Sequence, residues 1–209
     1  MNSTPQAANR ATRLRLRARL ELAHHAAELL HSKEEALRRE RTRLEGYAIR
    51  SRQQWEDSCR DAGAQLLRAR AFGASRELST SAAQPGRVAT VSIDWQHDMG
   101  VTYPGRVMAT PGSPGVLTST AALVPATTAY GVALGTGAEY AAAAAALVRV
   151  EAELGHTRRR RRGIEQRLRP RLEAQLHQLD LELDERDREA ALRSQNAIEQ
   201  NTIERSTRP

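Results

Sequence analysis

Between Thr12 and Phe72 the sequence holds no proline, and one set of positions recurs at steps of alternately four and three: Leu16, Leu20, Ala23, Ala27, Leu30, Glu34, Leu37, Arg41, Leu44, Ala48, Ser51, Trp55, Ser58, Ala62, Gln65, Ala69 and Phe72. That is the seven-residue repeat of a helix with a single seam, interrupted by polar residues and facing a partner helix. If helical throughout, the segment would extend roughly 90 Å. Gly46 and Gly63 lie inside it and Gly73 follows it. A packed helix tolerates isolated glycines, so these read as close packing, a local bend or, at Gly73, the end. A single compact core is not expected to organise the rest, because the chain carries only one Phe, two Trp and four Tyr.

The stretch from Ser79 to Val150 differs in kind, with six charged residues, five prolines and eight glycines. VATVSI at Val88 to Ile93 and GVTYPGRVMAT at Gly100 to Thr110 contain β-branched runs on either side of WQHDMG, which predicts a small hairpin or irregular two-stranded head. PGSPG at Pro111 to Gly115 reads as a turn. Helix is expected to resume from about Ser119, open to interruption at Pro125 and at Gly135 to Gly137, and the alanine run at Ala141 to Val148 favours it strongly. Alanine permits a close helix contact but buries less apolar surface than leucine.

In the last third, Ile164, Leu168, Leu172, Leu176, Leu179 and Leu183 are separated by steps of 4, 4, 4, 3 and 4. The stripe drifts from a strict heptad, and Pro170 inside it removes a backbone hydrogen bond, so a bend is expected there. Two long helices flanking a head can return on one another. Setting Phe72 beside Ala138 places Leu44 near Leu168, and Leu16 near Gln195 or Asn196. The fold class is therefore mainly α: a long antiparallel helical coiled coil with a small β-hairpin-like or irregular head. Its parts are an amino-terminal helix over 12–73, the head over 79–117, a returning helix over 119–200 and a flexible tail over 201–209.

The net charge of +7 suits nucleic acid, an acidic protein surface or an anionic membrane, and does not choose among them. Arg13 and Arg17 on the first helix, and Arg158, Arg159, Arg160, Arg161 and Arg162 on the last, form the basic clusters. Acidic neighbours from Glu21 to Glu40 and from Glu173 to Glu189 break up any continuous phosphate-binding stripe, which favours a protein interface and a solvated helix face.

Signals for chemistry are weak. GTG at Gly135 to Gly137 lacks the spacing and the following Lys-Ser or Lys-Thr of a phosphate loop. Asp94, His97 and Asp98 read as a solvated hairpin tip. His24 and His25 point in different directions around a helix, and His31 lies one heptad beyond His24. Cys59 is the sole cysteine, so there is no intramolecular disulfide, and it has no activating partner in the sequence. Trp55 fits the helix seam as a core or partner contact. No catalytic, cofactor-binding or metal-binding residues are expected. With no signal-peptide core and no uninterrupted apolar run of about 20 residues, the expected location is the cytoplasm.

Two stretches also carry a resemblance. NRATRLRLRARLELAHHAAELLHSKEEAL is similar to the opening of the D subunit of V-type and archaeal A-type rotary ATPases, a central-stalk shaft. Ala11 stands where the family has proline, Thr12 and Arg13 match, and Leu29, Leu30 and Lys33 occupy a later run that His31 interrupts. HTRRRRRGIEQRLRPRLEAQLHQLDLELDERDRE resembles the second family signature. Thr157, Arg158, Arg159, Arg160, Glu165 and Pro170 match, while Arg161, Arg162 and Gly163 replace Val, Asn and Ala. The resemblance covers nearly the whole chain. It implies a non-catalytic rotor subunit, without a cofactor, that couples ATP hydrolysis or synthesis to proton or sodium-ion transport. The partners it implies are the catalytic and non-catalytic ring subunits, the small F-type stalk subunit, and a C- or d-type connector to the membrane rotor. The chain itself would be peripheral to the membrane. The helix-pair seam residues would be Leu16, Leu20, Leu30, Leu37, Leu44, Trp55, Ile164, Leu168, Leu172, Leu176, Leu179 and Leu183, with the seven clustered arginines at protein interfaces. The alternatives from other classes are a coiled-coil scaffold and a basic helical nucleic-acid-binding protein.

Overall fold

The computed structural model describes residues 5–82, 88–112 and 121–206. Helix α1 spans Pro5–Ala71, α2 Ser75–Ala82, strand β1 Thr90–Asp98, β2 Val101–Thr110, helix α3 Val124–Gly163 and α4 Arg169–Ser206. A π-helical turn, Ile164–Leu168, joins the last two. Two units divide the chain: Lys33–His156, and Met1–Ser32 with Thr157–Pro209. The sequence predicts this class of fold, helical with a small antiparallel hairpin.

In the unit Lys33–His156, α1 and α3 run antiparallel. Lys33 Nζ lies 2.6 Å from Glu153 Oε1, and Arg41 Nε lies 2.8 Å from Glu151 Oε1. Further along, Trp55 stacks on Tyr140 with ring centroids 5.5 Å apart, Ala62 packs with Ala129 and Ala133, and Ala69 clusters with Leu123. The inward residues of α1 follow the repeat: Glu34, Leu37, Leu44, Ala48, Ser51, Ala62 and Ala69 are buried. The two polar ones are satisfied locally. Glu34 accepts from Arg38 Nη2 at 2.5 Å, and the Ser51 hydroxyl donates to the carbonyls of Tyr47 and Ala48.

The register differs from the sequence expectation. Leu44 clusters with Ala146, Val150 and Leu154 instead of lying near Leu168, and Phe72 is 81% exposed instead of facing Ala138. The cause is the start of the returning helix. The expected pairing leaves out everything between Phe72 and Ala138, whereas α3 begins at Val124 and packs from its first turn. Pro125 sits in that first turn, where a missing N–H forfeits no intrahelical bond, so it starts the helix rather than interrupting it. The glycines of GTG do not interrupt it either. A Cβ on Gly137 would lie 2.9 Å from Trp55 Nε1, so the glycine makes room for the indole.

Helix α1 closes with a Schellman arrangement. Gly73 has φ +87, its N–H donates to the Arg70 carbonyl at 3.0 Å, and Ala74 N–H donates to the Ala69 carbonyl at 3.1 Å. Ala69 and Ala74 then bury together with Leu123.

The hairpin is longer than expected. WQHD belongs to β1, and the turn is only Met99 and Gly100, with φ 50 and 77. Two successive positive φ values match the turn whose twist suits a two-residue hairpin loop. Pairing runs from Thr90↔Thr110 to Asp98↔Val101, with a register shift between Ile93 and Trp95. The sheet is docked by one strand. Val101 and Tyr103 of β2 are buried with Leu37, Leu44 and Val150, while every residue of β1 is exposed.

In the other unit, Ala23 and Ala27 of α1, Thr157 of α3, and Leu172 and Leu183 of α4 are buried. Arg10 Nη2 lies 3.6 Å from Asp187 Oδ1, and Arg13 faces Asp180, so Leu16 lies well short of Gln195 in the pairing. The anticipated irregularity at Pro170 takes the form of the π turn, in which Arg169 N–H reaches back to the Ile164 carbonyl. Twelve residues of α-helix, Ile164 to Leu176, would overrun three turns by about 120°, and one extra residue absorbed in a π turn removes about 100° of that. The four-residue steps of the leucine stripe are the sequence counterpart of this turn. Helix α4 continues to Ser206, into the stretch expected to be a flexible tail. Residues 207–209 lie outside the described residues, as do Ser113 to Gly115 of the expected PGSPG turn and the expected head boundary at 117–119.

The returning helix includes a window of mean hydropathy 1.3, long and apolar enough by composition to cross a membrane, with 22% of it buried. Ala126, Ala129, Ala133, Ala142, Ala143 and Ala146 of α3 are buried within the unit Lys33–His156.

Candidate protein-interaction surfaces

Alanine seams leave larger apolar side chains on the outside. In the unit containing the amino-terminal residues, Leu14, Leu22 and Leu29 are 66%, 67% and 59% exposed. With Ala18 and Ala26 between them at steps of four, four, four and three, they define a second face of α1, away from buried Ala23 and Ala27. Arg15, Arg17 and Arg19 are exposed and make no ion pair among the described residues. On α4, Leu181 and Leu192 are also exposed. Single exposed leucines are ordinary, but aligned ones beside free arginines make a face suited to an apolar, acid-rimmed partner.

The expected interface arginines separate by environment. Arg13 Nε lies 2.5 Å from Asp180 Oδ1, close but off the N–H axis, so the pair is a charge contact rather than an aligned hydrogen bond. Arg17 is exposed. Arg158 and Arg161 are half-buried, and Arg161 Nη1 donates to both carboxylate oxygens of Glu165 at 2.8 and 2.9 Å. Arg159, Arg160 and Arg162 are exposed. The five-arginine run thus winds around the helix and forms no single patch. Of the expected seam residues, Leu37, Leu44, Leu172 and Leu183 are buried, while Leu16, Leu20, Leu30, Ile164, Leu176 and Leu179 are half-buried. Trp55 and Leu168 are more open, at 36% and 38% exposed.

A second apolar surface lies in the unit Lys33–His156. Trp55 of α1, Val91, Ile93 and Trp95 of β1, and the alanine-rich face of α3 line a groove of about 530 Å³. It is open because β1 stands off the helices. Arg149 at its rim donates to the Thr102 carbonyl at 2.8 Å and lies 5.0 Å from the Trp95 ring centroid. This cation–π contact fixes the hairpin from above. Each of these residues has an ordinary role in its own stretch of sequence, and the groove exists only through the hairpin's placement over α3.

One charged cluster holds the hairpin from below. The Tyr103 hydroxyl donates to Glu40 Oε1 at 2.9 Å, and Arg43 grips the same carboxylate through two bonds of 2.8 and 2.6 Å. The bond from Arg43 is the largest influence keeping the Glu40 carboxyl below its ordinary value, against partial burial, and the Tyr103 bond adds to it. Burial, followed by the bond to Glu40, pushes the Tyr103 phenol up.

His97 Nδ1 lies 2.9 Å from the Thr102 hydroxyl across the hairpin, and Cys59 is exposed. Among the described residues, no group of three or more His, Cys, Asp or Glu side chains could hold a metal ion.

Paired antiparallel helices with alanine-lined seams, a one-sided hairpin and outward apolar faces define an α-helical assembly component. The family model for the D subunit of ATP synthase matches residues 12–198, and the chain belongs to that family. It is thereby a non-catalytic central-stalk component of the rotary ATPases. No curated protein matches the chain in a sequence search.

Proposed function

We propose that this chain transmits torque between ATP turnover and ion movement. ATP hydrolysed in a ring of catalytic and non-catalytic subunits turns it, and the turning drives proton or sodium-ion transport through a membrane rotor; synthesis reverses the sequence. The observation that carries this reading is α1, a 67-residue helix that supplies a buried seam to both units while leaving leucines and arginines outward. Continuous backbone hydrogen bonding along one helix, backed by side-chain packing, resists twisting as a loop-jointed chain would not.

In this proposal the outward Leu14, Leu22 and Leu29 face, with Arg15 and Arg19, meets the inner surface of the ring. The Trp55–Trp95 groove receives the small stalk subunit, and a connector joins the rotor to the membrane ring. The chain acts at the cytoplasmic face without inserting into the bilayer. The seam residues hold the helices together, and the clustered arginines serve interfaces. Mixed charge along α1 and α4, with Arg13 set against Asp180 and Arg161 against Glu165, supports a protein track over a nucleic-acid groove.

Affinity purification of the tagged chain from its own cell extract at low salt tests this assignment. Ring subunits and a small stalk subunit should be recovered together. A discrete nucleoprotein complex with steep salt dependence and no ATPase subunits would overturn it, because phosphate recognition releases counterions.

A further inference from the structure

The hairpin leaves one sheet edge open to a third strand. Among the described residues, β1 has β2 as its sole neighbour in the sheet, and every residue of β1 is exposed. In an antiparallel ladder, alternate residues turn their N–H and C=O groups toward the neighbouring strand. Every second residue of β1 therefore presents both groups to solvent, a template on which another extended segment can pair.

The two edges of this sheet are not equivalent. β2 contains Pro104, which lacks an N–H, and a bulge in which Gly105 and Arg106 stand opposite Asp94 alone. The Thr102 carbonyl accepts from Arg149 of α3, and Val101, Tyr103 and Pro104 are buried. β1 has no proline, no glycine and no extra residue. One edge is thus blunted and covered, while the other is regular and open.

Side-chain alternation gives β1 two faces. Val91, Ile93 and Trp95 form a wall of the apolar groove, and Ser92, Asp94, Gln96 and Asp98 project from the other side. A strand added beyond β1, about 4.8 Å away, would heighten that wall with apolar residues of its own. On the other face it would meet two carboxylates. Neither Asp94 nor Asp98 makes an ion pair among the described residues, and Arg106, across the bulge from Asp94, forms none with it. A second copy of this chain would set β1 against β1 and crowd two carboxylates from each copy along the new ladder, where like charges destabilise the pairing.

We propose that β1 receives an extended segment of the small stalk subunit by strand addition, with apolar residues facing the groove and lysines or arginines opposite Asp94 and Asp98. This inference rests on the assignment of the Trp55–Trp95 groove to that subunit and supplies its mode of attachment. Main-chain bonds to the β1 edge give affinity, and the alternation of apolar and basic side chains selects the segment.

The test is amide hydrogen exchange, followed by NMR, on the full-length chain alone and with the purified small stalk subunit. In the chain alone, β1 amides bonded to β2 should exchange slowly and the outward ones fast. Binding should slow the outward ones, so that protection is gained at every second residue of Thr90–Asp98. Burial without pairing would produce no such alternation. Trp55 and Trp95 are the two tryptophans of the chain, so fluorine resonances of fluorotryptophan-labelled protein report separately whether the groove is covered. Asp94→Lys with Asp98→Lys turns two attractions into repulsions and should weaken binding about tenfold or more, with slow inward β1 amides verifying that the hairpin stays formed. Asp57→Lys with Asp61→Lys, the same change of charge on α1, should leave binding as it was. Shifted tryptophan resonances with the outward amides still fast would overturn strand addition and leave the groove assignment standing. Absence of binding, or binding that moves neither the tryptophans nor the amides, would overturn both. Uniform protection along β1, or equal weakening by the two lysine pairs, would also overturn the proposal.

Discussion

Tyr103 shows how much one side chain carries when a small sheet is fastened by a single strand. Its ring is buried among Leu37, Leu44 and Val150, and its hydroxyl reaches Glu40. Tyr103→Phe keeps the ring and deletes the bond, so a loss of about 1 kcal/mol is expected in denaturant unfolding. The pH response follows from the two shifts. Glu40 is depressed from 4.5 in the fold, so its stabilisation is complete above the unfolded value and is lost as pH falls through the folded one. Tyr103 is raised from 10.0, so its contribution is complete below that value and is lost as pH rises through the raised folded value. Tyr103→Phe should abolish the alkaline loss from this phenol and weaken, without abolishing, the acid loss that Arg43 sustains. Glycines offer a pair of changes with opposite signs. Nothing lies within 4 Å of where a Cβ on Gly63 would sit, so Gly63→Ala should stabilise by about 0.5–1 kcal/mol through helix propensity. At Gly137 the same methyl meets the Trp55 ring, so Gly137→Ala should cost about 1–3 kcal/mol from overpacking, partly offset by propensity. It should also shift tryptophan fluorescence to the red as the Trp55–Tyr140 stack opens.

At the level of elements, the π turn is the feature with the most specific consequence. Inserting one alanine after Gln166, which is exposed within it, adds a residue that the π turn does not absorb and should rotate α4 by about 100° against α1. Arg13 would then lose Asp180, and Leu172 and Leu183 would turn outward. Hydrogen exchange of α4 amides should accelerate, whereas Gln166→Ala should leave it slow. Much of this architecture is written in local pattern. The four-and-three repeat marks the inward face of α1, Gly73 marks its end, and the β-branched runs mark the hairpin. The extra residue near Pro170 is legible as four-residue steps, although the sequence does not say that a π turn absorbs it. The pairing register is not legible, because alanine seams accept many offsets. It is set by Gly137 admitting Trp55 and by ion pairs such as Lys33 with Glu153. The hairpin's turn reads as longer than it is because His97 and Asp98 look like loop residues, yet they are cross-strand partners of Thr102 and Val101. A surface assembled from distant segments, such as the Trp55–Trp95 groove, leaves no signal at any single stretch.

For the whole molecule, the consequence of the proposed role is a separation between chemistry and work. The catalytic groups for ATP hydrolysis would reside on other subunits, so softening this chain should spare turnover and reduce what the turnover achieves. Leu37 and Leu44 are the places to soften, since both are buried in the largest apolar cluster of their unit. Each change to alanine is expected to cost about 2–5 kcal/mol, with the cavity left behind determining where in that range it falls. The decisive measurement is the number of ions moved per ATP consumed, taken on membrane-reconstituted complexes carrying Leu37→Ala with Leu44→Ala, with circular dichroism confirming that the variant chain remains helical. The complex should assemble and hydrolyse ATP while the ratio falls. An unchanged ratio in assembled complexes with the seam disrupted would contradict torque transmission, and the chain would not be the element that carries it.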